Sequence, residues 1–184
     1  MGTSNELRLA DLIDTEILQK LQDDFTEMTG MAAIVREADG APVTSGSSIP
    51  DFCVKYTRVS KEGCMRCEQC YQKGAEQVME TGKAAVYFCH AGLIEFIAPI
   101  MAGGKFVGSF IGGHVFISTP DPEPLREIAG EIDVDPEEYL EAAGSVNVIS
   151  QDEIDKAARF LYTIVDALSN MAYNKYLVYK SNVE

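Results

Sequence analysis

Five cysteines and two histidines carry most of the reactive chemistry in this 184-residue chain, and most of them are bunched. Cys64-x-x-Cys67-x-x-Cys70 has Cys53 before it and Cys89-His90 after it, while His114 stands apart. Thiols in the first turn of a helix feel unpaired backbone N–H groups, which favour the thiolate. Thiolates three residues apart are also ligands for zinc or an iron–sulfur cluster. Each three-residue step moves about 60° around an ideal helix, so Cys64 and Cys67 share a face and Cys70 lies about 120° from Cys64. A single metal site would draw Cys64 and Cys67 from the helix and add Cys53 and Cys89, or His90, from neighbouring elements. Two other readings of the same thiols stay open: buried cysteines acting as small hydrophobes, and a redox-sensing or direct ligand contact. Cys89-His90 also has the composition of a nucleophile and base. Adjacent side chains on a strand point to opposite faces, however, so these two do not naturally meet. His114 could act from a neighbouring strand, but the spacing supplies no carboxylate to orient it. The chain is accordingly read as a non-enzyme.

These residues are carried by elements that the pattern marks out. Ile17, Leu18, Leu21, Phe25 and Met28 fall at helical spacing, with Asp14 or Thr15 as a cap and Gly30 as a stop. Residues 31–36 then read as a strand, Asp39-Gly40 as a hairpin turn, and residues 41–45 as the returning strand. Residues 44–50 are small and polar, hence loop. Residues 52–58 predict a short helix, and Ser60 caps a longer one that runs to Thr81 and stops at Gly82. Three apolar runs follow, over 84–89, 93–101 and 106–116; Gly103-Gly104 joins the last two as an antiparallel hairpin. Gly112-Gly113 marks a bulge or a close backbone approach. In the tail, Ile154, Ala158, Leu161, Val165, Leu168 and Ala172 recur at four and three spacing. That pattern is a coiled-coil-like seam on a helix of roughly seven or eight turns from about Gln151, and it predicts a homodimer through Leu161, Val165 and Leu168. The helix ends in an aromatic stretch without a clear cap, as a helix that continues would. The simplest solution is an α+β fold, a five-stranded antiparallel sheet with helices packed mainly on one face. Three segments are expected: a flexible lead-in over 1–10, a folded domain over 11–149 and the terminal helix over 150–184.

Composition narrows the function. Twenty-nine acids against fifteen bases give a net charge of −14, which repels nucleic-acid backbones and anionic lipid. Nine of the acids sit between Pro120 and Glu141 against Arg126 alone, a pattern that reads as a solvated acidic face. No apolar stretch is long enough to cross a bilayer, and no basic-then-apolar export signal stands at the start. An odd, clustered set of cysteines without such a signal predicts reduced thiols in the cytoplasm.

The string Cys89-His90-Ala91-Gly92-Leu93-Ile94-Glu95-Phe96-Ile97-Ala98-Pro99-Ile100 continues through Gly103-Gly104-Lys105-Phe106-Val107-Gly108 to Gly112-Gly113-His114-Val115. With Phe52-Cys53 and Gly63-Cys64 upstream, it resembles the PocR-type sensory domain family from about Asp11 to the tail helix. The resemblance implies a PAS-like fold serving as the input module of bacterial transcription regulators, histidine kinases and cyclases, two-component systems included. It implies a small hydrocarbon derivative, such as a short diol, as ligand, and it places Cys53, Cys64, Cys89 and His90 on motif positions. His114 departs from the Gln more usual at its position, and an imidazole offers a different donor pattern from an amide. The expected pocket lies between sheet and helices, walled by Phe52, Tyr56, Phe88, His90, Phe96, Phe110 and His114. The expected role is signal transduction through the terminal helices to an output domain carried elsewhere.

Overall fold

Local signals place the helices. In the computed structural model of the chain, which describes residues 8–183, the Asp14 carboxylate accepts the Glu16 N–H at 2.8 Å and starts helix α2 (Thr15–Thr29); Gly30, at φ 68°, ends it. Ser60 accepts the Gly63 N–H at 2.9 Å and starts α3 (Lys61–Thr81), which Gly82 ends at φ 62°. Before them a short helix, α1 (Leu9–Leu12), is held by the buried Glu37 carboxylate, which accepts the Leu9 N–H at 2.7 Å. Residues 1–7 of the expected lead-in lie outside the described residues, whereas Leu9 is fully buried.

The sheet has four strands, not five. β1 (Ala32–Glu37), β2 (Ala85–Phe88), β3 (Ile94–Ala102) and β4 (Lys105–Val115) pair antiparallel in the order β1-β4-β3-β2. The Asp39-Gly40 turn does form, with Glu37 N–H bonded to the Ala41 carbonyl at 2.8 Å. Residues 41–47 then run beside β1 with only the isolated bridges Arg36–Pro42 and Ala33–Ser47. Pro42 has no N–H to give a ladder. The Val35 N–H is taken instead by the Thr44 hydroxyl, at 2.9 Å. Thr44 in turn donates to the Gln22 side-chain oxygen, and Gln22 donates to the Ser45 carbonyl and the Ser47 hydroxyl, each at 2.6 Å. Backbone bonds from Val43 to Val35 and between Ser47 and Ala33 still tie the segment to β1, and Gln22 of α2 holds the Thr44 hydroxyl that replaces one rung of a regular fifth strand.

Helices cover both faces rather than mainly one. On one side, α1, α2 and the long α6 (Gln151–Val183) bury Val35, Phe96, Ala98, Ile100 and Phe110. Phe25 meets Phe96 and Phe110 edge-on at ring distances of 6.1 and 6.0 Å. On the other side, α3 seats Tyr71, Ala75 and Val78 on Ala85, Ile97 and Ile111. The acidic stretch contains two short helices, α4 (Pro122–Glu131) and α5 (Pro136–Gly144), each begun by an Asp-Pro pair whose carboxylate caps the first turn. Their apolar faces form a third cluster with Phe52, Leu93 and Phe116. Phe52 stacks at 4.5 Å on Tyr139.

The tail seam faces inward. Ile154, Ala158, Leu161, Val165, Leu168 and Ala172 are all buried against the chain's own sheet, and the Ser169 hydroxyl accepts the Met101 N–H at 3.0 Å. Leu161 and Leu168, at 0% and 2% exposure, have no surface left for a second copy, so the dimer contact expected there is replaced by an intramolecular one. A row of apolar residues at four and three spacing suits a sheet as well as a partner helix. Leu161→Ala is expected to cost about 2–5 kcal/mol of stability, the range for truncating a buried leucine. Thermal melts at several protein concentrations check the inward seam: the loss should not depend on concentration, and a concentration-dependent midpoint would place the seam between copies.

Candidate functional site

Between the sheet and α3 lies a cavity of about 500 Å³. Its floor is the sheet face opposite α6: Ile34 and Arg36 of β1, Ile111 and His114 of β4, and Leu93 and Glu95 at the start of β3. Its walls are Cys67 and Tyr71 of α3, the 46–49 loop, Cys89 and Ala91 ahead of β3, and the turn Phe52–Thr57 with Arg58 after it, whose guanidinium bonds to the Cys67 sulfur. That turn is a single π-helical coil, in which the Thr57 hydroxyl donates to the Phe52 carbonyl at 2.9 Å and lies 3.3 Å from the Tyr139 hydroxyl. It docks closely on α3 because residue 63 is glycine: a Cβ there would stand 1.9 Å from the Thr57 carbonyl oxygen.

The lining is largely apolar, with two polar regions. At one, the Arg36 guanidinium lies 4.4 Å from the centre of the Tyr71 ring, donates to the Gly40 carbonyl at 3.2 Å and meets Glu68 at 3.6 Å. Arg36 Nε and the Tyr71 hydroxyl are buried and lack hydrogen-bond partners. The Ser109 hydroxyl, on the β4 residue paired with Arg36, is also buried and unpartnered. It is the hydrogen-bonding neighbour of the Tyr71 hydroxyl, although the two hydroxyls are poorly aligned for a bond. At the other region, Glu95 accepts the Tyr87 hydroxyl at 2.9 Å and lies 3.7 Å from His114 Nε2, leaving His114 Nδ1 buried and unpartnered. The carboxylate that the spacing did not supply for His114 is thus Glu95. A buried polar atom without a partner costs about 1–3 kcal/mol, and three of the five such side-chain atoms among the described residues are on residues lining this cavity.

The structure brings some expected site residues together and separates others. His114 lines the cavity, as do Cys53, Cys67 and Cys89. Phe52 and Tyr56 pack in the α4–α5 cluster behind Cys53. Phe96 and Phe110 lie on the opposite sheet face under α2 and α6. Phe88 is 56% exposed at the β2 edge. His90 does not meet Cys89; its Nε2 is 3.4 Å from the Cys67 sulfur. Cys64 is exposed, and among the described residues no three His, Cys, Asp or Glu side chains form a metal-holding group. Arg36, Tyr71 and Glu95 were not among the expected residues. Their signal was charge within two otherwise apolar strands, Arg36 beside Glu37 in β1 and Glu95 alone in β3, and a tyrosine one turn beyond Cys67 on the same helix.

A family model described as the sensory domain found in PocR matches residues 11–173. The chain belongs to the PocR sensory-domain family. Regulatory protein PocR of Salmonella typhimurium (strain LT2) is 28% identical over 109 residues, which are 59% of this chain and 36% of that protein. The chain thus spans about a third of that relative's length. A GAF domain/HD domain protein from Geobacter sulfurreducens, whose crystal structure is known, aligns with 93% of this chain and 99% of its own at a TM-score of 0.46 and 11% identity.

In this PocR domain the thiols of the cavity wall are held neutral. Burial, then the Glu95 charge, pushes Cys53 up to about 12 and raises Cys89 well above the ordinary thiol range, although backbone N–H groups of Ala91 and Leu93 partly offset the rise at Cys89. Burial also raises Cys67, against the pull of Arg58. Burial and the Arg66 charge lower His90, so that pair is a neutral thiol beside a neutral imidazole. A nucleophile needs the opposite bias.

Two expectations follow for the PocR domain. Cys53→Ser should cost about 1–3 kcal/mol, from burying an unpaired hydroxyl, whereas exposed Cys64→Ser should stay within about 0.5 kcal/mol of wild type. Melts with and without a strong chelator check this; a chelator-sensitive wild-type melt would bring metal ligation back. The second concerns alkali. A thiol whose pKa is raised on folding stabilises the fold fully below the unfolded thiol value of about 8.5, and that contribution is lost as pH rises toward about 12 for Cys53. Stability should therefore fall across this window, with Cys53 contributing at most about 1.4 kcal/mol per pH unit. Denaturant titrations of wild type and Cys53→Ala at stepped pH should show a shallower fall in the variant.

Proposed function

We propose that this PocR domain is a sensory input module that binds a small, partly polar molecule in the cavity between the sheet and α3. The observation that carries the reading is the cavity's chemistry: apolar walls with unpartnered buried polar atoms on Arg36, Tyr71 and His114. Such atoms are costly in an empty pocket and are offset when a ligand pairs with them. Short hydrocarbon derivatives such as diols are the ligand class that the family resemblance implies. A catalytic role is disfavoured by the neutral state of Cys89 and by the pairing of His90 with Cys67 instead.

The relay runs through the sheet. Ile34, Glu95 and Ile111 face the cavity, while their chain neighbours Val35, Phe96 and Phe110 face the core shared with α2 and α6. A ligand that shifts the cavity floor therefore acts on residues packed against α6, and α6 passes the change to an output module elsewhere. It can do so only by as much as it binds one arrangement better than the other.

The test is a thermal-shift and native mass-spectrometry screen of short diols, carboxylic acids and aldehydes. A ligand at a hundred times its Kd adds about 2.7 kcal/mol of stability. For a chain of this size that raises the midpoint by roughly 5–10 °C, and the rise should be lost in His114→Ala or Tyr71→Phe. No stabilising ligand, together with a Cys89-dependent turnover, would overturn the sensory reading.

A further inference from the structure

Resting on that reading, we infer that the ligand is an aliphatic acid, its carboxylate seated on Arg36 and Tyr71 and a hydroxyl or similar donor at its far end turned to Glu95. The Arg36 side chain is only 11% exposed, and its one anionic partner among the described residues, Glu68, is 45% exposed and 3.6 Å away on Nη1. Nη1 already serves the Gly40 carbonyl, whereas Nε is buried with no acceptor. The Tyr71 hydroxyl beside it has only the poorly aligned Ser109 hydroxyl as a neighbour and is free to turn to a stronger acceptor. A buried guanidinium N–H next to a buried hydroxyl is a donor pair, and a carboxylate takes both with charge-assisted hydrogen bonds. A neutral diol oxygen would fill the same positions without neutralising the cation.

The opposite region fixes the direction. Glu95 is 13% exposed and has one oxygen bonded to Tyr87, with the other 3.7 Å from His114. Arg58 also lines the cavity, but its charge is already faced by Glu95 and it bonds to the Cys67 sulfur, so an anion there would compete with a carboxylate, whereas a hydroxyl can donate to Glu95 and accept from a ring N–H of His114. Ser109, paired with Arg36, and Gly113, paired with Glu95, are four residues apart on β4. They are thus about 13 Å apart along the strand, and side-chain reach from both ends shortens the gap. Ile34, Ile49 and Ile111 line the cavity and favour a hydrocarbon chain between the two regions. The cavity of about 500 Å³ has room for roughly sixteen waters at about 30 Å³ each, more than a two- or three-carbon diol displaces. The net charge of −14 repels anions at the surface, but that field is screened within about 8 Å at physiological salt, so the lining cations set the local sign: Arg36 at one region, and Arg58, already faced by Glu95, at the other.

Isothermal titration of the full chain with 6-hydroxyhexanoate and with 1,6-hexanediol, equal in chain length, tests the assignment. The acid should bind at least about tenfold tighter, as expected when a neutral hydrogen bond becomes charge-assisted. Arg36→Gln should remove that preference and leave the diol's affinity nearly unchanged, and Arg36→Lys should restore part of it. Tyr71→Phe removes only a hydroxyl, keeps the ring under Arg36 and should weaken the acid several-fold, which covers the case of an Arg36 variant that does not fold. Equal binding of the two probes, a tighter diol, or an acid preference that survives both substitutions overturns the carboxylate assignment and leaves the sensory reading standing. Binding of neither probe, with no diol, acid or aldehyde stabilising the domain, overturns both.

Discussion

The cavity side of the sheet depends on how β3 and β4 pair at Gly113. Glu95 is opposite Gly113 and Ile94 is opposite Val115, so His114 is the extra residue of a bulge. In an uninterrupted strand His114 would share a face with Phe110 and Gly112 and would enter the core under α2 and α6. The bulge turns it over: His114 lines the cavity and Val115 takes the core position instead. The backbone accepts this because Gly113 sits at φ 118°, where a Cβ would come within 2.5 Å of the Ile94 carbonyl oxygen. His114 itself is at φ 59°, an unfavourable conformation for a residue with a Cβ. Strain at a residue lining a ligand-sized cavity, two residues long and flanked by regular pairing, suits a position held for its side chain rather than its backbone.

That single reversal separates two environments only one strand thick. The α6 side is sealed by large apolar groups, Phe25, Phe96, Phe110 and the inward seam of α6. The other side cannot be sealed in the same way, because α3 covers only the β2–β3–β4 portion around Ile97 and Ile111. The remainder is roofed by the π-turn and the 46–49 loop, and the α4–α5 pair props the π-turn through Phe52 and Tyr139. A floor of continuous sheet under a roof made of short pieces is an arrangement in which a ligand can order the roof and press on the floor without unfolding the sheet.

Local signals made the helices legible: Asp14, Gly30, Ser60 and Gly82 act where the spacing put them. The β3–β4 hairpin and the bulge were legible for the same reason, since glycine pairs mark backbone that other residues resist. The fifth strand failed because Pro42 has no N–H to give and the Thr44 hydroxyl takes the Val35 N–H in place of a backbone carbonyl, held there by Gln22 about twenty residues earlier. The pocket list failed in part because aromatic residues were taken as walls. Strand parity puts Phe96 and Phe110 on the face of Val35, away from Glu95. The acidic stretch concealed two helices because its carboxylates do two jobs at once, solvating the surface and capping the first turns.

The cysteines show why residue type alone could not decide the chemistry. Cys64-x-x-Cys67-x-x-Cys70 has ligand spacing, but the helix leaves Cys64 in solvent and turns Cys67 to the cavity and His90. Cys53 and Cys89 reach the same cavity from other elements, and there the Glu95 charge and burial together oppose ionisation. A neutral thiol is a small, polarisable wall group with a weak S–H donor. Three of them beside Ile34, Ile49, Leu93 and Ile111 extend the apolar surface without competing for a ligand's polar atoms. Recognition is thereby left to the few strong groups, Arg36 and Tyr71 at one region and Glu95, His114 and Arg58 at the other. The same carboxylate that keeps the thiols protonated also supplies the acceptor at the far end of the cavity, so removing Glu95 would change the wall and the recognition together.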